Sequence, residues 1–119
     1  MENTLFARIA AIVGSASLKK PILAVYNNAT RHYVSVAADT TRGKVSGYDT
    51  SARCYFSGNS TTDLSFYDYG THAQVMLRIA DNKVHGYNYK TRSHFNGHIS
   101  GQNLFIRDYK ARQNYTYIF

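Results

Sequence analysis

The sequence has no tryptophan, one cysteine, one proline and a single glutamate, and it carries 7 Asp plus Glu against 14 Lys plus Arg. With Cys54 alone, no intrachain disulfide can form, so packing must hold the scaffold and a reducing, cytoplasmic setting is expected. No apolar run approaches the roughly 18 residues that a membrane-spanning helix needs. Met1-Glu2-Asn3 puts an acid where a secretion leader wants a base, and Arg8 interrupts the apolar run that follows, so no leader is expected. Paired carboxylates could do acid–base work only if crowded together, and Asp49, Asp68 and Asp108 each have a base four residues on. There is no Gly-x-Ser-x-Gly elbow, phosphate-binding glycine loop or His-Glu-x-x-His motif. No enzymatic activity and no cofactor are expected.

What is present is an ordinary globular composition in 119 residues, 44% hydrophobic, which suits one domain over residues 1–119. Two features depart from average usage: eleven Tyr and a formal net charge of +7. A basic surface raises encounter rates with polyanions, although charge of this size also serves solubility.

Leu5, Phe6, Ile9, Ile12 and Val13 recur at helical spacing and predict a short helix over residues 3–13, capped by Asn3 or Thr4 and ended by Gly14. Residues 14–21, small and closing on Pro21, read as a linker. The expected helix has one apolar stripe and packs on whatever follows, because a helix this short is marginal alone.

From residue 22 to 119 the chain repeats itself at about 20 residues. The repeat centres are Tyr26-Asn27-Asn28-Ala29-Thr30-Arg31, Tyr48-Asp49-Thr50-Ser51-Ala52-Arg53 and Tyr67-Asp68-Tyr69-Gly70-Thr71-His72, followed by Tyr87-Asn88-Tyr89-Lys90-Thr91-Arg92 and Arg107-Asp108-Tyr109-Lys110-Ala111-Arg112. Apolar residues alternate on both sides of every centre, so each unit reads strand, tight turn, strand. With a four-residue loop, Val25 faces Val34, Leu23 faces Val36, Phe66 faces Val75 and Leu64 faces Leu77 on an apolar face. Gly47 then falls opposite Phe56 and Gly86 opposite Phe95, where a ring can cover bare backbone.

Five such hairpins give about ten antiparallel strands. A meander of that length closes on itself to remove its edges, so the expected fold is all-β, a barrel with the helix packed on it, and a two-sheet sandwich is the second choice. Gly47, Gly58, Gly86 and Gly97 on the apolar face would leave room inside. The centre Tyr-Asp-x-x-x-Arg, as at Tyr48-Asp49 and Tyr67-Asp68, looks like the YD repeats of large polymorphic toxins, but Ala29, Ala52, Thr71, Thr91 and Ala111 stand where those repeats carry Gly, and nothing is carried over from them.

In a meander the five turns share one end. Asp49, Asp68 and Asp108 would form a rim there with Arg31, Arg53, His72, Arg92 and Arg112. This rim has two readings. Either Asp or Asn caps its own turn and the following base neutralises it, or the bases form a ring for an anion, since guanidinium offers planar bidentate donors. On the opposite face of the strands the same register pairs Tyr26 with Tyr33, Tyr48 with Tyr55, Tyr67 with Gln74, Tyr87 with His94 and Arg107 with Asn114. That aromatic belt is either sheet stabilisation or a surface for sugars, bases or another subunit. His85, His94 and His98 lack a metal-ligand spacing, so no metal is expected, and Cys54 falls on the apolar face as a core thiol.

The function expected is therefore non-enzymatic binding of a small polar or anionic ligand at the barrel mouth or interior. The alternatives are a homo-oligomeric or protein-interaction module using the Tyr belt with Met76, Phe105 and Ile118, or single-stranded nucleic-acid or carbohydrate binding through Tyr and Arg, which no motif supports.

Overall fold

The computed structural model describes residues 5–60 and 63–119. The expected capping residues Asn3 and Thr4 lie outside that range. The chain begins with helix α1 (Leu5–Leu18) and continues with β1 (Val25–Asn27), β2 (His32–Val34), β3 (Val36–Asp39), β4 (Lys44–Asp49), β5 (Cys54–Asn59) and β6 (Leu64–Asp68). The remaining strands are β7 (Ala73–Ala80), β8 (Lys83–Asn88), β9 (Ser93–Ser100), β10 (Asn103–Asp108) and β11 (Gln113–Ile118). All pair antiparallel in one sheet of order β2-β1-β11-β10-β9-β8-β7-β6-β5-β4-β3. Its two end strands are consecutive in the chain and separated only by Ser35, so the sheet curls into a nearly closed barrel.

The expected barrel is thus present, with its second strand divided. One strand cannot lie straight beside both of its neighbours at the seam, so β2 pairs with β1 while β3 pairs with β4. Val25 pairs with Val34, but the next contact joins Ile22 to Ala38, leaving one extra residue on the second strand. A single-residue bulge reverses which face each side chain takes. That corrects the expected pairing of Leu23 with Val36: Leu23 points outward, 75% exposed, and Val36 inward. Elsewhere the register is the expected one, including Phe66 opposite Val75, Leu64 opposite Leu77, Gly47 opposite Phe56 and Gly86 opposite Phe95.

The largest correction concerns the helix. Every residue from Leu5 to Ser15 is buried, so α1 has no solvent face until its last turn, where Ser17 is exposed, and it lies within the barrel. The reason is visible in its composition: Arg8 is the only charged residue in LFARIAAIVGSASL, and a helix that is apolar all round belongs inside. Gly14 does not end it, and residues 14–18 belong to the helix rather than to a linker. A Cβ at Gly14 would meet the Phe119 ring at 2.7 Å, so the glycine admits the chain's last side chain while tertiary enclosure overrides its low helix propensity. The helix ends instead at Lys19, whose φ of 57° lets the Lys20 N–H bond back to the Ser15 carbonyl at 3.3 Å.

The same enclosure corrects the expected open interior. Phe56 and Phe95 lie over Gly47 and Gly86, and α1 takes the centre. Phe6 packs edge-on against Phe95 at 5.2 Å and stacks on Tyr115 at 4.9 Å. At the far end Ser15 Oγ accepts the Thr40 N–H at 3.0 Å. Among the described residues no helix is long and apolar enough to cross a membrane.

Because an added Cβ at Gly86 would fall 2.1 Å from the Phe95 ring, Gly86→Ala is expected to destabilise the fold by about 1–3 kcal/mol through overpacking. Urea unfolding should also show part of that loss recovered in the Gly86→Ala/Phe95→Leu double variant. An unchanged midpoint for Gly86→Ala would contradict the packing described.

Candidate functional site

The five repeat centres form the turns β1–β2, β4–β5, β6–β7, β8–β9 and β10–β11, all at the end of the barrel where α1 begins. In each, the Asp or Asn does what such residues do in turns: its side-chain oxygen accepts backbone N–H groups two or three residues on. Asn27 receives Ala29 and Thr30, Asp49 receives Ala52, Asp68 receives Thr71, Asn88 receives Lys90 and Thr91, and Asp108 receives Lys110. The capping reading holds in all five turns.

The neutralising half of that reading does not. Asp49, Asp68 and Asp108 turn inward and are buried, at 1%, 0% and 7% exposure. The base facing Asp49 and Asp68 is Arg8 of the helix. Its Nε and Nη2 bind Asp68 in a fork at 2.6 and 3.0 Å, and its Nη1 binds Asp49 at 2.8 Å. Burial pushes the Arg8 guanidinium down, but its hydrogen bonds to Asp68 and Asp49 outweigh that, and its pKa stands above the ordinary arginine value. Cys54 lies beside this group, and burial pushes its thiol up, as expected of a core cysteine.

The turn bases are left on the surface. Arg31, Arg53, His72, Arg92 and Arg112 are all exposed, and their φ angles lie between 54° and 59°. This is the left-handed region, where Gly, Asn or Asp is the residue that folding alone favours. A base occupies it in every hairpin. Lys90 and Lys110, which the sequence pattern treated as variable positions, join them. The Lys90 ammonium donates to the Thr71 carbonyl at 2.5 Å and the Lys110 ammonium to the Thr91 carbonyl at 3.2 Å, each linking its turn to the preceding one. Carbonyls satisfy these donors without cancelling their charge.

The exposed surface of this end is therefore basic without carboxylates among the described residues. The remaining described acids, Asp39, Asp63 and Asp81, lie at the opposite end, where they mix with Lys19, Lys20, Arg42, Lys44 and Lys83 and where Asp63 pairs with Arg78 at 3.0 Å. That end also holds a cavity of about 520 Å³ lined by Ser15, Thr40, Thr41, Ser60, Leu64 and Leu77, which no sequence pattern announced.

The aromatic belt lies on the outer wall in the expected register, with Tyr26 against Tyr33 at 5.0 Å, Tyr48 against Tyr55 at 4.6 Å and Tyr87 against His94 at 4.7 Å. Tyr33 and Tyr55 remain 77% and 66% exposed. Tyr67 pairs with Gln74 across the strands but packs its ring on Tyr69. Tyr69, Tyr89 and Tyr109 immediately follow the turn Asp or Asn and are half exposed. Their recurrence at one position in three of the five turns was the available signal for them.

Arg8→Leu would leave two carboxylates buried without a cation, and thermal or urea unfolding should show a loss of about 3–5 kcal/mol. Adding Asp49→Asn and Asp68→Asn should restore part of it, because Asn keeps the turn cap, as Asn27 and Asn88 do. A triple variant no more stable than Arg8→Leu would mean that uncompensated charge is not the cause. A scan against protein-family models and searches of the curated proteins and of the solved structures match nothing to this chain.

Proposed function

We propose that the protein is a non-enzymatic binding protein that docks an anionic ligand against the turn end of its barrel, with Arg31, Arg53, His72, Arg92 and Arg112 as the contacts and Lys90 and Lys110 beside them. The observation that carries this reading is the backbone conformation of those five residues. A folding rule accounts for Asp or Asn at the cap, but the same rule asks for Gly or Asn at the left-handed position, and a base stands there five times. Non-Gly residues held in the left-handed region cluster at ligand-contacting sites, and here the exception recurs in all five turns. The removal of Asp49, Asp68 and Asp108 from the surface supports the reading further, since none of the described carboxylates exposed on the surface lies at this end to compete for the bases. With α1 inside, the ligand surface is the outside of this end rather than the interior.

A second reading, self-association through the outer wall, draws on Leu23 and Tyr33, 75% and 77% exposed, and would give a solution mass that rises with concentration.

Arg53→Asn/Arg92→Asn/Arg112→Asn removes three rim charges while keeping residues that tolerate the left-handed conformation. It should melt no earlier than the wild type and elute from immobilised heparin at clearly lower salt. Lys20→Gln/Lys44→Gln/Lys83→Gln, with the same net charge but altered at the other end, should elute close to the wild type. Equal losses in the two triples, or no retention of the wild type, would defeat the assignment of this end.

A further inference from the structure

We infer that the anion is a single-stranded nucleic acid lying across the last three turns, with phosphates on the bases and nucleobases on Tyr69, Tyr89 and Tyr109. This rests on the reading of the turn end as an anion site and adds what the rings do there.

Each of these turns carries a tyrosine directly after its capping residue and a base three residues further on: Tyr69 with His72, Tyr89 with Arg92, Tyr109 with Arg112. The turns also touch in series, because Lys90 reaches the Thr71 carbonyl and Lys110 reaches the Thr91 carbonyl. Neighbouring turns are two strands apart, about 10 Å, so the three form a track about 20 Å long, the scale of a few nucleotides. Along it a planar ring and a basic side chain, His72, Arg92 or Arg112, alternate three times, which is the pairing of stacking platform and polar contact that single strands use.

The rings are held ready for that role. Tyr69 meets Tyr67 at 4.8 Å and 73°, and Tyr89 meets Tyr87 at 4.8 Å and 78°. An edge-to-face contact fixes a ring without covering both of its faces. Tyr69, Tyr89 and Tyr109 accordingly remain 52%, 52% and 53% exposed. The hydroxyl of Tyr109 adds a 3.3 Å bond to Asn96 Oδ1. A duplex keeps its base faces stacked inside and would leave these rings unused.

The test uses the full chain, a labelled oligothymidylate, a duplex of the same length and heparin, with binding followed by anisotropy and by the tyrosine emission, which no tryptophan masks. The wild type should prefer the single strand to the duplex, and its tyrosine emission should fall on binding. Tyr69→Leu/Tyr89→Leu/Tyr109→Leu, checked for an unchanged far-ultraviolet spectrum and melting curve, should lose at least tenfold in affinity for the oligothymidylate while keeping its elution from heparin. If that triple misfolds, the single variant Tyr89→Leu, expected to lose several-fold, replaces it. Equal binding of duplex and single strand, or unchanged oligothymidylate affinity in the folded tyrosine variant, overturns the inference and leaves the anion site standing. Retention on heparin without binding of oligothymidylate overturns it in favour of a sulfated polysaccharide. Binding to neither defeats the underlying reading as well.

Discussion

A helix with no polar face can be accommodated in water only if something surrounds it, and the architecture follows from that constraint. Residues Leu5 to Ser15 are buried on every side, and the ring of strands is the enclosure. The helix and the sheet therefore depend on one another: α1 alone would be a marginal helix, and the sheet without it would close over an empty centre. Burial by itself would let an apolar rod slide or rotate. Arg8 prevents this, because a guanidinium forked onto Asp68 and bonded to Asp49 has one depth and one rotation at which all three contacts form. Such an ion pair contributes little net stability after desolvation, and setting register is the best-attested use of buried pairs of this kind.

That internal requirement shapes the outside. Two of the carboxylates that cap their turns, Asp49 and Asp68, also bind Arg8, so they point inward and leave the surface, and Asp108 is buried with them. Arg53, His72 and Arg112 lose the carboxylates of their own turns, Arg31 and Arg92 follow a neutral Asn, and all five remain exposed. Within one six-residue repeat centre, the Asp or Asn serves folding and the base at the left-handed position serves the surface. The two duties are separated by four residues and by opposite directions from the wall.

The seam shows a different compromise. A ten-strand meander could close with an unbroken second strand only if that strand followed both neighbours at once. The extra residue at Ser35 divides it, and the local reversal of faces places Leu23 in solvent.

The hairpins were legible in the sequence because their determinants are local. Alternation over six or eight residues and a turn marked by Asp or Asn settle which residues face one another, which is why Tyr26 with Tyr33, Gly86 with Phe95 and Arg107 with Asn114 could be read from spacing. Closure into a barrel followed from the number of strands. The candidate site was only half legible. The positions of the turn bases came from the repeat, but the withdrawal of Asp49 and Asp68 from the surface did not, because it depends on Arg8, which lies 41 and 60 residues from these two partners. The apolar stripe did not locate the helix, since a stripe suits a helix on a wall as well as one inside it; the near absence of charge from Leu5 to Leu18 was the signal, and tertiary structure supplied the enclosure. Local spacing determines local pairing; which side of a sheet is filled, and by what, is decided by contacts between parts of the chain that no spacing relates.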